Sequence, residues 1–183
     1  MTGSNAKLIF SSSIEPLIKV AWEKLKPETK TKLGAHRIGP PHKVEPAYPA
    51  DVWANAVKLV AAELYPDVPA EEQHRSLGRS TVEQFTEGVL GKAMFSAARL
   101  FGARRTLERL SHNLRSGANF IETRFTVTGP DAYELWLSDV SDVPGFYAGL
   151  LSAGAGKIDG WPNSIEIKQR DGVSCTYALT VAR

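Results

Sequence analysis

From Leu110 to Leu137 the chain reads LSHNLRSGANFIETRFTVTGPDAYELWL, and within it the repeat of apolar residues shortens from about 3.6 to about 2. Before Gly117, the residues Ala103, Leu107, Leu110 and Leu114 recur at intervals of three and four, which describes one face of a helix. After it, Ile121, Thr123, Phe125 and Val127 alternate with Phe120, Glu122, Arg124 and Thr126, the pattern of a half-buried strand. TGPD, Thr128 to Asp131, is a turn. Tyr133, Leu135 and Leu137 then alternate with Glu134, Trp136 and Ser138 in the returning strand of an antiparallel hairpin. The handover at Gly117-Ala118-Asn119-Phe120 therefore separates a helical first part from a sheet-forming second part.

Working outward from that junction, VPGFYAGLLSAGAG (143–156) supplies a short apolar helix. Ile165, Ile167 and Gln169 lead into Asp171-Gly172, a two-residue hairpin signal, and Val173, Cys175, Tyr177, Leu179 and Val181 return. The C-terminal half thus reads strand, strand, helix, strand, strand. Upstream, LIF (8–10) is a short strand or extended lead-in, and Ser13 caps a helix reaching about Leu25 with Pro16 in its first turn. Gly34 to Pro49, with four prolines and two glycines, is an extended connection. Asp51 caps the next helix, whose buried stripe is Trp53, Ala56, Val57, Val60 and Leu64. Another carries Leu77, Thr81, Phe85 and Val89 on one face; Gly88 and Gly91 mark a break or a close helix contact, Met94, Ala98 and Phe101 add a turn or two, and Gly102 marks a bend. Together these describe one α+β domain over residues 1–183, with N-terminal helices packed on a C-terminal four-stranded antiparallel sheet.

The composition narrows the function. A chain of 183 residues with 43% hydrophobic content builds a substantial core. With 22 basic and 20 acidic residues the net charge of +2 is too small a field to recruit nucleic acid by itself. Cys175 is the single cysteine, so an intramolecular disulfide and a Cys-rich zinc site are both excluded, and a reducing cytoplasm is the expected compartment. The N-terminal stretch MTGSNAKLIFSSSIEPLIKV has neither a basic leader nor an unbroken apolar core, and no stretch approaches the roughly 20 apolar residues of a membrane span.

Wheel arithmetic at about 100° per residue, with Leu107 at zero, puts the buried stripe near ~300–340° and His112 near ~140°. His112 therefore faces away from the core, among arginines, with Arg105 near ~160° and Arg109 near ~200°. Arg105, Arg109 and His112 form a candidate face for an anionic partner rather than a cofactor-ligand position. GAGKIDG (154–160) follows a helix and precedes a strand, the reverse of a phosphate-binding loop, and is a helix C-terminal glycine stop. His36, His42 and His74 have no ligand at metal-binding spacing, so zinc is not expected. No nucleophile elbow is present, and Cys175 alternates onto the apolar face of a strand, so no catalytic constellation is found. Trp53, Phe85, Phe95 and Phe101 are the candidates to line an apolar pocket between helices and sheet.

Three segments, GRSTVEQFTEGVLGKAM (78–94), RLFGARRTLERLSHNLRSGANFIETRF (99–125) and PGFYAGLLSAGAG, carry a family resemblance. Through Gly78-Arg79, Phe85 and Gly88, and through Arg115, Gly117, Asn119, Phe120 and Glu122, the chain resembles an uncharacterised paralogous family of myxobacterial proteins, a domain of unknown function. The resemblance covers nearly the whole chain, more loosely before Pro49, and implies no activity. The architecture is also similar to the superfamily of heme nitric-oxide sensors, vinyl-reductase-type ligand-binding domains and transport-particle subunits. Its heme sensors use a proximal helix histidine and a Tyr-x-Ser-x-Arg motif. Here Trp136-Leu137-Ser138-Asp139-Val140 keeps only the serine, so heme is not expected. The expectation is a non-catalytic sensory or ligand-binding domain, holding a small apolar molecule between helices and sheet as a homodimer. The alternative is a protein-interaction or scaffolding module with a solid core, binding through the arginine face or a sheet edge.

Overall fold

The computed structural model describes residues 6–181. The first five residues of the N-terminal stretch read for a leader lie outside it. Strand β1 (Leu8–Phe10) runs directly into α1 (Ser11–Ala21), and α2 (Pro27–Gly34), β2 (Ala47–Pro49), α3 (Ala50–Leu64), α4 (Ala70–Glu87), α5 (Val89–Glu108) and α6 (Leu110–Leu114) follow. The second part contains β3 (Thr123–Gly129), β4 (Ala132–Leu137), α7 (Pro144–Ser152), β5 (Ser164–Asp171) and β6 (Ser174–Thr180). These four strands form an antiparallel sheet in the order β3-β4-β6-β5, so the architecture is α+β with the expected strand-strand-helix-strand-strand order. Among the described residues no helix is long and apolar enough to cross a membrane.

The hairpin register follows the alternation of the sequence. Phe125 lies opposite Leu135 and Val127 opposite Tyr133 on one face, while Arg124 lies opposite Trp136 on the other, its guanidinium 4.9 Å from the indole ring. Strands β4 and β6 are central and present Leu135, Leu137, Cys175, Tyr177 and Leu179 to the core. The second hairpin differs from its expectation by one residue. Gly172 and Val173 form the turn, with Gly172 at φ +56°, because Asp171 pairs with Ser174. A bulge between Ile167 and Gln169 absorbs the offset, so Arg170 rather than Gln169 stands opposite Cys175, and Val173 is exposed instead of facing inward.

Other corrections lie in the first part. Because β1 feeds α1 without a break, Ser13 sits in the first turn rather than at the cap, and its hydroxyl donates to the Gly117 carbonyl at 3.2 Å. Asp51 is likewise inside α3, and α1 ends at Ala21. The stretch between Gly34 and Pro49 is not wholly irregular: β2 pairs antiparallel with β1, and Ile38, 1% exposed, pins the connection to the core. The helix read from Ala103 to Leu114 is interrupted at Arg109, whose φ of −94° and ψ of 4° divide α5 from α6.

Two contacts position everything that follows. First, the handover after α6 is clasped onto β1: Phe10 N–H donates to Gly117 O at 2.9 Å, Asn119 N–H to Leu8 O at 3.1 Å, and Leu8 N–H to Asn119 Oδ1 at 2.9 Å. Second, α4 and α7 meet backbone to backbone. A Cβ on Gly78 would stand 2.1 Å from Phe146 O, and one on Gly149 would stand 2.1 Å from Arg75 O. Only residues without a Cβ permit that approach. Helix α7 is also tied to the sheet, where the buried Tyr177 hydroxyl donates to Pro144 O at 2.9 Å.

Candidate functional site

Helices α4 and α7, locked together by their glycines, form one wall of a cavity of about 250 Å³, and α5 with α6 forms the facing wall. From α4 come Thr81, Val82 and Phe85; from α7, Phe146, Tyr147 and Leu150; from α5, Met94, Phe95, Ala98 and Thr106. Trp53 of α3 and Leu137 of β4 complete the inner end, with the Trp53 and Phe146 rings edge to face at 5.4 Å. Trp161 lines the opposite part, and its indole N–H donates to Leu151 O at 2.7 Å. The small cluster of Ala98, Ala103 and Ile158, with Phe95 and Trp161 packed against it, seats α5.

The polar groups on this wall are few and uncharged. Ser12 Oγ donates to Ser116 O at 2.7 Å, Ser13 Oγ to Gly117 O, Thr81 Oγ1 to Leu77 O at 2.8 Å and Thr106 Oγ1 to Gly102 O at 2.8 Å. Burial pushes the Tyr147 phenol above its ordinary range, so it is neutral. The buried Trp53 Nε1–H has no hydrogen-bond partner among the described residues. Among the described lining residues there is no Asp, Glu, Lys, Arg, His or Cys.

Of the four aromatic residues expected to line a pocket, the structure brings Trp53, Phe85 and Phe95 to this cavity. Phe101 is not among them. Gly102, at φ +74° and ψ 170°, breaks the helix directly after it, so the stripe through Met94 and Ala98 is not continued. Phe101 is 46% exposed, with the Arg109 guanidinium 5.2 Å from its ring. Phe146, Tyr147 and Leu150 were not singled out as site residues; the signal for them was Gly145 and Gly149, four residues apart in the short apolar helix, which mark a face built for close packing. Arg105, Arg109 and His112 are exposed, on the outside of α5 and α6. Among the described residues no three of His, Cys, Asp and Glu come together as a metal site, and burial raises the Cys175 thiol.

Residues 7–180 match the family described as "Protein of unknown function (DUF2378)". The chain belongs to this family. A search of curated proteins found no match to this DUF2378 member. Among solved structures, the Fe(II) unliganded H-NOX protein from K. algicida is similar at a TM-score of 0.65 and 10% identity, covering 91% of this chain and 93% of that one. A doubly substituted Tt H-NOX is similar at 0.64 and 16% identity, covering 94% of each chain. A structure addressing heme distortion in the H-NOX family is similar at 0.62 and 15% identity, covering 94% and 92%. These likenesses show that the DUF2378 member has an H-NOX-like fold.

The fold raises the question of heme, and the side chains answer it. Among its described lining residues the cavity offers no imidazole or thiolate to an iron and no guanidinium to a propionate. The Tyr147 phenol is held protonated by burial, and His112 is exposed on α6. Ser138, the residue shared with the propionate-clamping motif, is absorbed at the start of the hairpin, where its Oγ accepts from Glu122 N–H at 2.9 Å. The residues present do not fit a heme.

Proposed function

We propose that this chain is a non-catalytic sensory or ligand-binding domain that holds a small apolar molecule in the cavity between α4–α7 and α5–α6. The observation that carries the reading is the cavity of about 250 Å³ with its apolar walls and its sparse, uncharged polar groups. Such concave apolar sites with few polar groups are the usual form of small-molecule pockets. The likeness to H-NOX proteins supports a sensory role, exercised here with a different ligand. Native mass spectrometry of the purified protein, combined with an absorbance scan and titration with uncharged alkanes and alkanols, tests it. A bound mass, or saturable uptake of one molecule per site, supports the reading; neither one sinks it.

A second reading has its own observation. Arg105, Arg109 and His112 lie exposed along α5, α6 and the junction between them; the Arg109 guanidinium sits over the half-exposed Phe101, and the neighbouring Leu100 is 87% exposed. Basic and apolar groups side by side suit an acidic protein surface. In this reading, replacing Arg105 and Arg109 by Ala leaves folding intact and abolishes capture of an acidic partner. Unfolding of the double variant would show that these residues belong to the core side of the helix.

A further inference from the structure

We infer that the cavity selects an uncharged ligand of about ten non-hydrogen atoms, an alkanol or alkanone, and rejects the carboxylate and the amine of the same skeleton. The inference rests on the proposed ligand-binding role and specifies its chemistry. Size comes from the volume: an apolar cavity of about 150 Å³ accommodates benzene, so the roughly 250 Å³ here scales to about ten heavy atoms.

Charge selection comes from the wall. Among the described lining residues none is ionised at neutral pH, so a buried carboxylate or ammonium would have no counter-ion. An anion needs hydrogen-bond donors in place of water. The hydroxyl protons of Ser12, Ser13, Thr81 and Thr106 are already committed to main-chain carbonyls. What these hydroxyls still offer is lone pairs, which can accept an alcohol O–H and which repel a carboxylate. The neutral Tyr147 phenol and the unpartnered Trp53 Nε1–H add donors of no net charge, enough for a hydroxyl or carbonyl oxygen and not for an ion.

The test is a matched series, 1-nonanol, 2-nonanone, nonanoate and nonylamine, titrated calorimetrically into the whole protein. At about pH 8, nonanol and nonanone bind, while nonanoate and nonylamine bind at least about a hundredfold more weakly, the scale of an uncompensated buried charge. Lowering the pH into the carboxylate range raises the affinity of nonanoate, which then enters as the neutral acid. Met94→Lys, placing an ammonium on the cavity wall, narrows the gap between nonanoate and nonanol. The native protein's own series decides the matter if that variant fails to fold. Equal affinity for nonanol and nonanoate at about pH 8 overturns the inference while leaving a ligand-binding domain in place. Failure of all four to bind removes the ligand-binding reading itself.

Discussion

Replacing Gly149 by Ala tests the contact on which the cavity depends. The added Cβ would lie 2.1 Å from Arg75 O and 2.9 Å from Arg79 N, against ordinary contacts of 3.4–4 Å. Both neighbours are main-chain atoms of α4, so relief requires the two helices to part by more than an ångström rather than a side chain to swing aside. Overpacking of this kind costs about 1–3 kcal/mol, and rigid main-chain neighbours place it near the upper end. Alanine returns about 0.5–1 kcal/mol through helix propensity. The net loss is about 2 kcal/mol, or about 4–8 °C in melting temperature for a domain of this length. Urea denaturation followed by circular dichroism reads it as a lower midpoint at constant slope. Gly88→Ala is the control: its Cβ meets nothing nearer than Phe85 O at 3.4 Å, and it should fall within about 0.5 kcal/mol of the native protein. Because Gly78 guards the same helix pair, Gly78→Ala combined with Gly149→Ala should cost less than the sum of the two. An unchanged midpoint for Gly149→Ala, or strict additivity in the double variant, refutes the backbone-to-backbone account.

Three further outcomes are expected. Titration with hemin should give no saturable one-to-one complex in the Soret region, and a stoichiometric complex would show that an axial ligand exists outside the cavity wall as described. Burial, then the Lys58 ammonium, holds His74 below its ordinary 6.5, so the unfolded chain takes up that proton first as pH falls. Stability is therefore fully present above about 6.5 and declines as pH drops through the folded-state pKa; His74→Gln should flatten the decline in urea midpoints between about pH 7.5 and about pH 5, and an unaltered slope would exclude His74 as its source. Asn119→Ala removes the acceptor for Leu8 N–H and the donor to Ala6 O and should cost about 1–2 kcal/mol, with hydrogen exchange at Leu8 accelerating more than exchange in the sheet.

The change of period at Gly117 made the division between helices and sheet legible, because strand alternation and helical stripes leave different marks on the same apolar residues. It could not reveal α2, whose PETKTKLG buries only Leu33, or β2, three residues long and ending in proline. The Asp171-Gly172 signal found the hairpin but not its phase, which the bulge between Ile167 and Gln169 shifts by one residue. At the site, Trp53 and Phe85 were readable as apolar stripe residues and Phe95 as a pocket aromatic. Phe101, the last residue before the break at Gly102, was misplaced because it turns outward against Arg109 instead of following Met94 and Ala98 inward. The wall supplied by Phe146 and Tyr147 depends on α7 meeting α4, a tertiary fact encoded in glycines whose partners lie some seventy residues upstream.

The clasp between β1 and the Gly117–Asn119 handover has a consequence for synthesis of the chain. Leu8 and Asn119 are 111 residues apart, and closing so long a loop is entropically costly and slow compared with forming any one helix. As the chain leaves the ribosome, α1 can pack on α3 and α4 before Asn119 and the sheet-forming half arrive. Although β1 can pair early with β2, closure of the clasp is then a late event, so weakening it should hasten unfolding while leaving the refolding rate almost untouched.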